Sequence, residues 1–507
     1  MMLQSVRSLL DLPKRWQVPL SPASCGVSLF LLPLALLWRG ALSLPLYHVD
    51  SALFASMARD LSNSPLRTWI YMGGDWEWLF YEKPPLILWV EAATMRLIGT
   101  GPEAAFVSTL LAAHLTVLLV YKIGKRLVDR DFGFLAALIL CLTPSFVNQS
   151  RNPIIEPMLM FFMALSLYWG MSLRRSWLHI FGAGAALACA FLAKGPPALA
   201  VLPVMGVYYL TASPDSGSRR EWRGRLAQVP WGRLGLVLFI ALGILALVDL
   251  WHFSLTSSSF WKRLITQQIV PGVLTGREHP KSGLYFLRGL AHRYWPWLPV
   301  LAAGVMVPWV LRREFPEKNA LIRAWAFALT QAGVILLGFS LVQKKAPFYT
   351  YPYHVGLTLF TAIPLYVLLR KRREIYGSLV SGSILLSVGI FILASVAPQA
   401  FLHYPRPKLG AMIQMGEELQ KRGIRIQTLQ VVHKCRPNPK WGFPTHARFY
   451  MRVEEVTCET EPVGIQFLDM RKDRSYERDG STVLAISHPY VLVDRGTGRG
   501  GAEQVGK

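Results

Sequence analysis

The sequence predicts a mainly α, polytopic membrane protein with about eleven transmembrane helices, interfacial helices in its first outer loop and a small C-terminal α/β domain. Three observations carry this. Of 507 residues, 52% are hydrophobic and only 17% charged, against about 25% charged in soluble chains. Mean hydropathy is +0.33, and the 17 Trp and 18 Tyr are residue types that anchor membrane–water interfaces. The 54 Lys and Arg outnumber the 30 Asp and Glu, for a net charge of +24, and they sit in short clusters between apolar runs. A soluble cytosolic enzyme is excluded. The pI near 10 reads as a topology signal and not as nucleic-acid binding, because the basic residues do not gather on one face.

Apolar stretches long enough to span are centred near residues 35, 112, 140, 163, 187, 204, 242, 302, 333, 358 and 388. The opening segment, with Arg7, Lys14 and Arg15, lacks a small-residue cleavage site after its apolar run and reads as a retained first helix with a cytoplasmic N-terminus. Alternating sides from there places Lys122, Lys125 and Arg126 inside, then Arg174 and Arg175, then Arg219 to Arg225, then Arg312 and Arg313, then Arg370 to Arg373. Every second loop is basic, as the positive-inside rule requires. The C-terminus is then outside. Gly182-Ala183-Gly184, inside an apolar helix, reads as a helix-packing feature. Asn148-Gln149-Ser150 has the letters of a glycosylation sequon but lies too near the membrane to serve as one.

Residues 1–400 form the predicted membrane domain and 401–507 the outer α/β domain. Two outer segments, 46–102 and 253–290, are longer than a connection needs. The first holds two predicted interfacial helices. One carries Leu53, Phe54, Met57 and Leu61 at helical spacing, and the other is opened by Pro84 and Pro85. In the C-terminal domain a helix is expected over Lys408–Arg422 and strands around Ile424–Val432, Arg448–Val456 and Thr482–Val493. Five cysteines exclude a disulfide scaffold or a Cys-rich zinc module. Cys141 and Cys189 fall in apolar runs as small buried hydrophobes, while Cys435 and Cys458 share the polar tail and could pair in an oxidising compartment.

Ionisable groups near membrane depth are costly, so each asks for a role. Asp50, in Tyr47-His48-Val49-Asp50-Ser51, has two readings: an N-cap for the following helix, or a general base on an incoming hydroxyl. Glu82-Lys83-Pro84-Pro85 is either a solvated ion pair with a cap or a phosphate site in which Lys83 works beside free N–H groups. Glu156 precedes a wholly apolar run. Its bland partner would be Arg151, five residues away and poorly aligned on one helix, so a cavity-facing role is favoured. Lys194, before Gly195-Pro196-Pro197, reads first as a snorkelling cation. Arg277-Glu278-His279-Pro280-Lys281 gathers charge without a diagnostic metal spacing. Lys344 and Lys345 lie beside Tyr349 and Tyr351 on the non-cytoplasmic side, where lysines ask for an anionic partner. No phosphate-binding or dinucleotide-binding glycine motif occurs, so a nucleotide sugar is not the expected substrate.

In this order the elements resemble the GT-C membrane glycosyltransferases, in the bacterial branch of protein O-mannosyltransferases and the lipid A aminoarabinose transferase. The resemblance covers about residues 25–370, with a looser echo at Ala447-Arg448-Phe449-Tyr450. Its most specific piece is Glu82-Lys83-Pro84-Pro85. The family's outer-loop aspartate falls on Asp50, its second carboxylate on Glu156, its Lys-Gly-Pro element on Lys194 to Pro196, and its Lys-x-Pro-x-Tyr element on Lys345, Pro347 and Tyr349. Ser51 and Leu53 stand where the family usually has an acid and an arginine, which leaves sugar and acceptor open.

The resemblance implies transfer of a sugar from a polyprenyl-phosphate donor to an acceptor hydroxyl (of a lipid, glycan or protein) on the periplasmic face of a bacterial inner membrane. It assigns catalysis to Asp50 and Glu156 and donor phosphate binding to Lys83, Lys345 and Tyr349, with Arg277 and Lys194 as further cations. Certain relatives hold a divalent metal near the acid of the Lys-Pro-Pro element and a loop histidine, here Glu82 and His279. The partners implied are the lipid donor, an envelope acceptor and membrane lipids, without nucleic acid. The alternative is a transporter or flippase for a lipid-linked anion, in which the same lysines bind without chemistry.

Overall fold

The computed structural model describes residues 21–72, 80–211, 219–271, 282–310, 317–343, 345–370, 373–396, 407–426, 428–431, 443–453, 455–457, 465–469, 481–487, 490–495 and 503–504. Helices lie at each of the eleven predicted centres. Six among the described residues are long and apolar enough to cross a membrane: α4 (Pro102–Leu127), α8 (Trp177–Lys194), α10 (Trp231–Thr256), α12 (Lys318–Leu341), α13 (His354–Leu369 with its leading turn from Tyr351) and α14 (Arg373–Val396). A seventh is a bent pair, α5 (Arg130–Cys141) and α6 (Pro144–Ser150), which meet at 64°. The bend follows from Pro144. Proline at the first helical position cannot continue a hydrogen-bond ladder, and Thr143 before it is extended, at φ −84° and ψ 111°.

The remaining four predicted spans are shorter apolar helices: α1 (Pro22–Pro33, extended by a π turn to Trp38), α7 (Ile155–Gly170), α9 (Val201–Thr211) and α11 (Leu298–Val305). One continuous apolar core joins these helices, with Phe106, Phe132, Phe134 and Phe146 among its fully buried rings. The glycine pair in α8 packs as its spacing suggested. A Cβ at Gly184 would fall 2.8 Å from Ile240 Cβ of α10, so only glycine allows this crossing.

Both helices expected within residues 46–102 form, as α2 (Val49–Ser62) and α3 (Leu86–Ile98), and they pack on each other. Leu53, Met57 and Leu61 are buried on α2, as their spacing predicts. Pro85 occupies the N-cap of α3 and not its first turn, because it stays at ψ 0° just before the helix.

Toward the C-terminus, helix α15 (Pro407–Lys421) packs on a five-stranded sheet of order β3-β2-β4-β6-β5. Its strands are β2 (Thr428–Val431), β3 (Glu455–Thr457), β4 (Ile465–Asp469), β5 (Thr482–Ser487) and β6 (Tyr490–Asp494); a short β1 (Ile424–Arg425) pairs separately with β7 (Glu503–Gln504). β2 runs parallel to β3 and β4, while β6 is antiparallel to β4 and β5. Tyr490 to Val493 are all buried, so β6 is covered on both faces.

The strand expected over Arg448–Val456 instead begins as the last turn of α16 (Phe443–Tyr450), and only Glu455–Thr457 pairs in the sheet. Ala447, Phe449, Met451 and Val453 are all buried. That alternation mimics a strand, but the Met451 N–H reaches the Ala447 carbonyl at 2.9 Å, a helical bond. Arg452 then turns the chain with φ +52°. Ile465–Asp469 is a strand that the sequence reading did not contain. Cys435 and Cys458, with the pairing considered for them, lie outside the described residues.

Candidate active site

α7 and α8 are consecutive helices of 16 and 18 residues that pack on each other. At 1.5 Å per residue they are about 24 and 27 Å long, so the start of one comes level with the end of the other. Glu156 sits in the first turn of α7 and Lys194 in the last turn of α8. Each charge is therefore at the helix end whose partial charge it opposes. They meet: Lys194 Nζ donates to Glu156 Oε1 in an ion pair whose side chains are 7% and 3% exposed.

This overturns the snorkelling reading of Lys194 and agrees with setting Arg151 aside as the partner of Glu156. Lys194 does not snorkel to water, because a buried carboxylate and a wall of aromatic rings hold it; Nζ lies 4.1 Å from the Tyr349 ring centroid and 5.7 Å from those of Phe339 and Phe348. Arg151 is not the partner of Glu156. It donates to the Arg39 carbonyl at 3.2 Å. Gly195 ends α8 at φ +80°, a conformation that favours glycine and turns the chain away directly after Lys194.

The pair lines a cavity of about 270 Å³. Around it come His48 and Asp50 from the start of α2, Glu82 and Lys83 from the turn before α3, Glu156 from α7, and Lys345 to Tyr349 from the segment leading into α13. Seven of the nine residues singled out in the sequence thus share one wall: Asp50, Glu82, Lys83, Glu156, Lys194, Lys345 and Tyr349. Arg277 and His279 lie outside the described residues. Among the described residues no cluster of three His, Cys, Asp or Glu is arranged to hold a metal ion.

Asp50 is not the N-cap of α2. That role falls to His48, whose Nδ1 accepts the Asp50 N–H at 3.2 Å. The His48 ring stands edge-on to Phe348, with centroids 5.2 Å apart and planes at 82°. His48 and Phe348 are the lining residues the sequence reading passed over; a histidine two residues before a helical acid was the available signal. Released from capping, the Asp50 carboxyl points at the cavity with its side chain 22% exposed. Burial raises its pKa above the usual carboxylate range; His48 draws it back, Glu156 raises it, Lys83 lowers it and Glu82 raises it. Lys83 forms no ion pair with a described residue.

The arrangement offers a carboxylate with raised proton affinity facing lysines across a small cavity, close to apolar helix ends. That is a site for deprotonating a hydroxyl beside an anion.

Residues 82–244 match the protein family described as dolichyl-phosphate-mannose-protein mannosyltransferase. The fold is similar to the crystal structure of ArnT from Cupriavidus metallidurans bound to undecaprenyl phosphate, with a TM-score of 0.63 at 16% identity, covering 94% of this chain and 98% of that one. The chain has the fold of that structure. A more distant likeness of fold is to the Archaeoglobus fulgidus oligosaccharyltransferase in its apo form, with a TM-score of 0.51 at 10% identity, over 86% of this chain and 64% of that one. In sequence, the chain is 24% identical over 426 residues to undecaprenyl phosphate-alpha-4-amino-4-deoxy-L-arabinose arabinosyl transferase 2 of Pseudomonas fluorescens. It is 27% identical over 355 residues to the corresponding arabinosyl transferase of a Pseudomonas aeruginosa strain. These matches cover 80% and 66% of this chain but 65% and 59% of the relatives, so it spans about three fifths of their length.

Proposed function

We propose that the protein is a glycosyltransferase of the aminoarabinose-transferase type, moving a sugar from a polyprenyl-phosphate donor to an acceptor hydroxyl. One observation carries this reading: Asp50 and Lys83, 33 residues apart in sequence, line the same cavity with Lys345 and Tyr349. Asp50 takes the proton of the acceptor hydroxyl as its oxygen bonds to the sugar carbon. The bond from that carbon to the phosphate oxygen breaks, and the polyprenyl phosphate leaves with the electron pair. Lys83 and Lys345 face the charge that grows on the departing phosphate, in a poorly hydrated site where fixed cations act strongly. Tyr349 lends its hydroxyl and holds its ring against Lys194.

Glu156 serves as a fixed counter-charge. Its carboxylate is engaged by Lys194, and the pair sets the floor of the cavity. Arg277 is a further phosphate ligand in this reading, and Glu82 with His279 the place for a divalent metal. The proposal extends to eleven crossings of a bacterial inner membrane, with residues 1–400 as the membrane domain. The cavity and a C-terminal α/β domain over 401–507 then face the periplasm. The alternation of basic clusters supports this topology.

The acceptor is a hydroxyl of a lipid, a glycan or an envelope protein, and glycolipid and glycoprotein profiling of a deletion strain is the test. Loss of one sugar from one envelope component, restored by the wild-type chain and not by Asp50→Asn, is the expected outcome. Unchanged profiles with accumulation of a lipid-linked anion on one leaflet would favour transport instead.

A further inference from the structure

Helix α16 contains the Ala447-Arg448-Phe449-Tyr450 run, and none of its residues is among those lining the cavity. Its contacts are nonetheless with the chain that carries Asp50. Leu46 is held by both of its backbone polar groups: its N–H donates to Tyr450 Oη at 2.6 Å, and His446 Nε2 donates to its carbonyl at 2.8 Å. Farther along α2, Arg59 Nη1 donates to the carbonyls of Arg448 and Phe449, at 3.1 and 3.0 Å. Its guanidinium lies 5.9 Å from the Phe449 ring centroid. Those carbonyls are at the C-terminal end of α16, where a cation is favoured.

Residues 45–47 belong to no helix or strand, and Pro45 has no N–H to give. The backbone just before His48 therefore takes its position from α16. Leu46 precedes Asp50 by four residues and Arg59 follows it by nine, so the two attachments bracket the carboxylate. The loop attachment sets the approach to the His48 cap, and the Arg59 attachment sets the rotation of α2. Tyr450 is half-buried and desolvation raises its pKa, so the phenol stays neutral while its oxygen accepts the Leu46 N–H.

We propose that α16 is a clamp in which Tyr450, His446 and Arg59 are positioning residues, holding residues 46–50 so that Asp50 meets the acceptor hydroxyl. The proposal rests on Asp50 acting as the base. A misplacement of about 1 Å can cost about 100-fold in rate, so the clamp acts on turnover more than on donor affinity.

The test uses the full chain in detergent or nanodiscs with Tyr450→Phe, which removes one oxygen and keeps the ring, and Arg59→Lys, which keeps the charge but loses the planar fork whose Nε also holds Asp60. Tyr450→Phe is expected to lower kcat at least about tenfold, to leave the donor KM within about twofold, and to speed amide exchange at Leu46 through Asp50 with little change in thermal midpoint. Arg59→Lys should retain more activity than Arg59→Ala. Wild-type kcat with unchanged exchange in Tyr450→Phe would overturn the clamp, as would a loss of activity that tracks the unfolded fraction. A wild-type protein inactive on every polyprenyl-phosphate sugar would overturn the transfer reading, while the exchange measurement still decides the clamp.

Discussion

Lys194 and Glu156 are 38 residues apart and form a buried ion pair at the adjoining ends of two neighbouring helices. Burying two charges is repaid only while both are present; removing one partner from such a pair typically costs about 3–5 kcal/mol, whereas replacing both by apolar groups can be neutral. Glu156→Gln should therefore lower the thermal midpoint sharply, and Glu156→Gln combined with Lys194→Met should regain most of it. A double variant no more stable than the single one would show that the pair does not hold the helix ends.

Asp50→Asn should fold and bind the donor lipid but lose turnover by a factor of about 10² to 10⁴, the usual contribution of a general base. In the wild type, the base form is needed for transfer and burial raises the Asp50 pKa. The rate should thus rise with pH through a limb above the ~3.9 of a free aspartate. Stability runs the other way: this group's contribution is complete below its unfolded pKa and is lost as pH rises through the raised folded pKa. A pH–rate profile and a pH–stability profile, each compared with Asp50→Asn, check both signs.

Lys83→Ala should reduce the preference for polyprenyl phosphate over uncharged polyprenol by roughly 1.5–3 kcal/mol, the size of a charged hydrogen bond. Lys83→Arg should restore charge but only part of the preference, since a planar guanidinium does not reproduce a compact ammonium. Equal preference in wild type and Lys83→Ala would move the phosphate to Lys345 or Arg277.

His48→Ala should lose about 1 kcal/mol of stability by uncapping α2 and reduce turnover by loosening Asp50. Asparagine caps well, so His48→Asn should recover the stability. Recovery of stability without recovery of rate would mean that the imidazole, packed edge-on to Phe348, also acts on the cavity.

A C-terminal alkaline-phosphatase fusion should be active and a fluorescent-protein fusion dark if the C-terminus is external, as proposed. The reverse pattern would place Asp50 and Lys83 on the cytoplasmic side and remove the lipid donor from reach.

Much of the fold was legible because a bilayer leaves little choice. Spanning chain must satisfy its backbone within helices, so apolar length locates them, and helices stand at all eleven centres read from hydropathy. The break at Thr143-Pro144 was equally local, yet the apolar run hid it: hydropathy counts side chains and ignores the missing N–H of a proline. The site was legible for a related reason. Acids and lysines beside hydrocarbon are expensive, so Asp50, Glu82, Lys83, Glu156, Lys194, Lys345 and Tyr349 drew notice one by one, and they line one cavity.

What the sequence by itself determined is which groups would be present at the membrane surface and on which helices, because burial cost and hydropathic period act on each residue in its own segment. Which group meets which was decided only in three dimensions. Arg151 was near Glu156 along the chain, but helix length brought Lys194 to it instead. Asp50 had the chemistry of an N-cap, but the turn geometry gave that bond to His48 and freed the carboxylate. The alternation from Ala447 to Val453 favoured a strand, but the chain stays helical through Tyr450 in α16, which binds Leu46, 404 residues before Tyr450. Such contacts follow from how whole elements stack, and no local spacing records that.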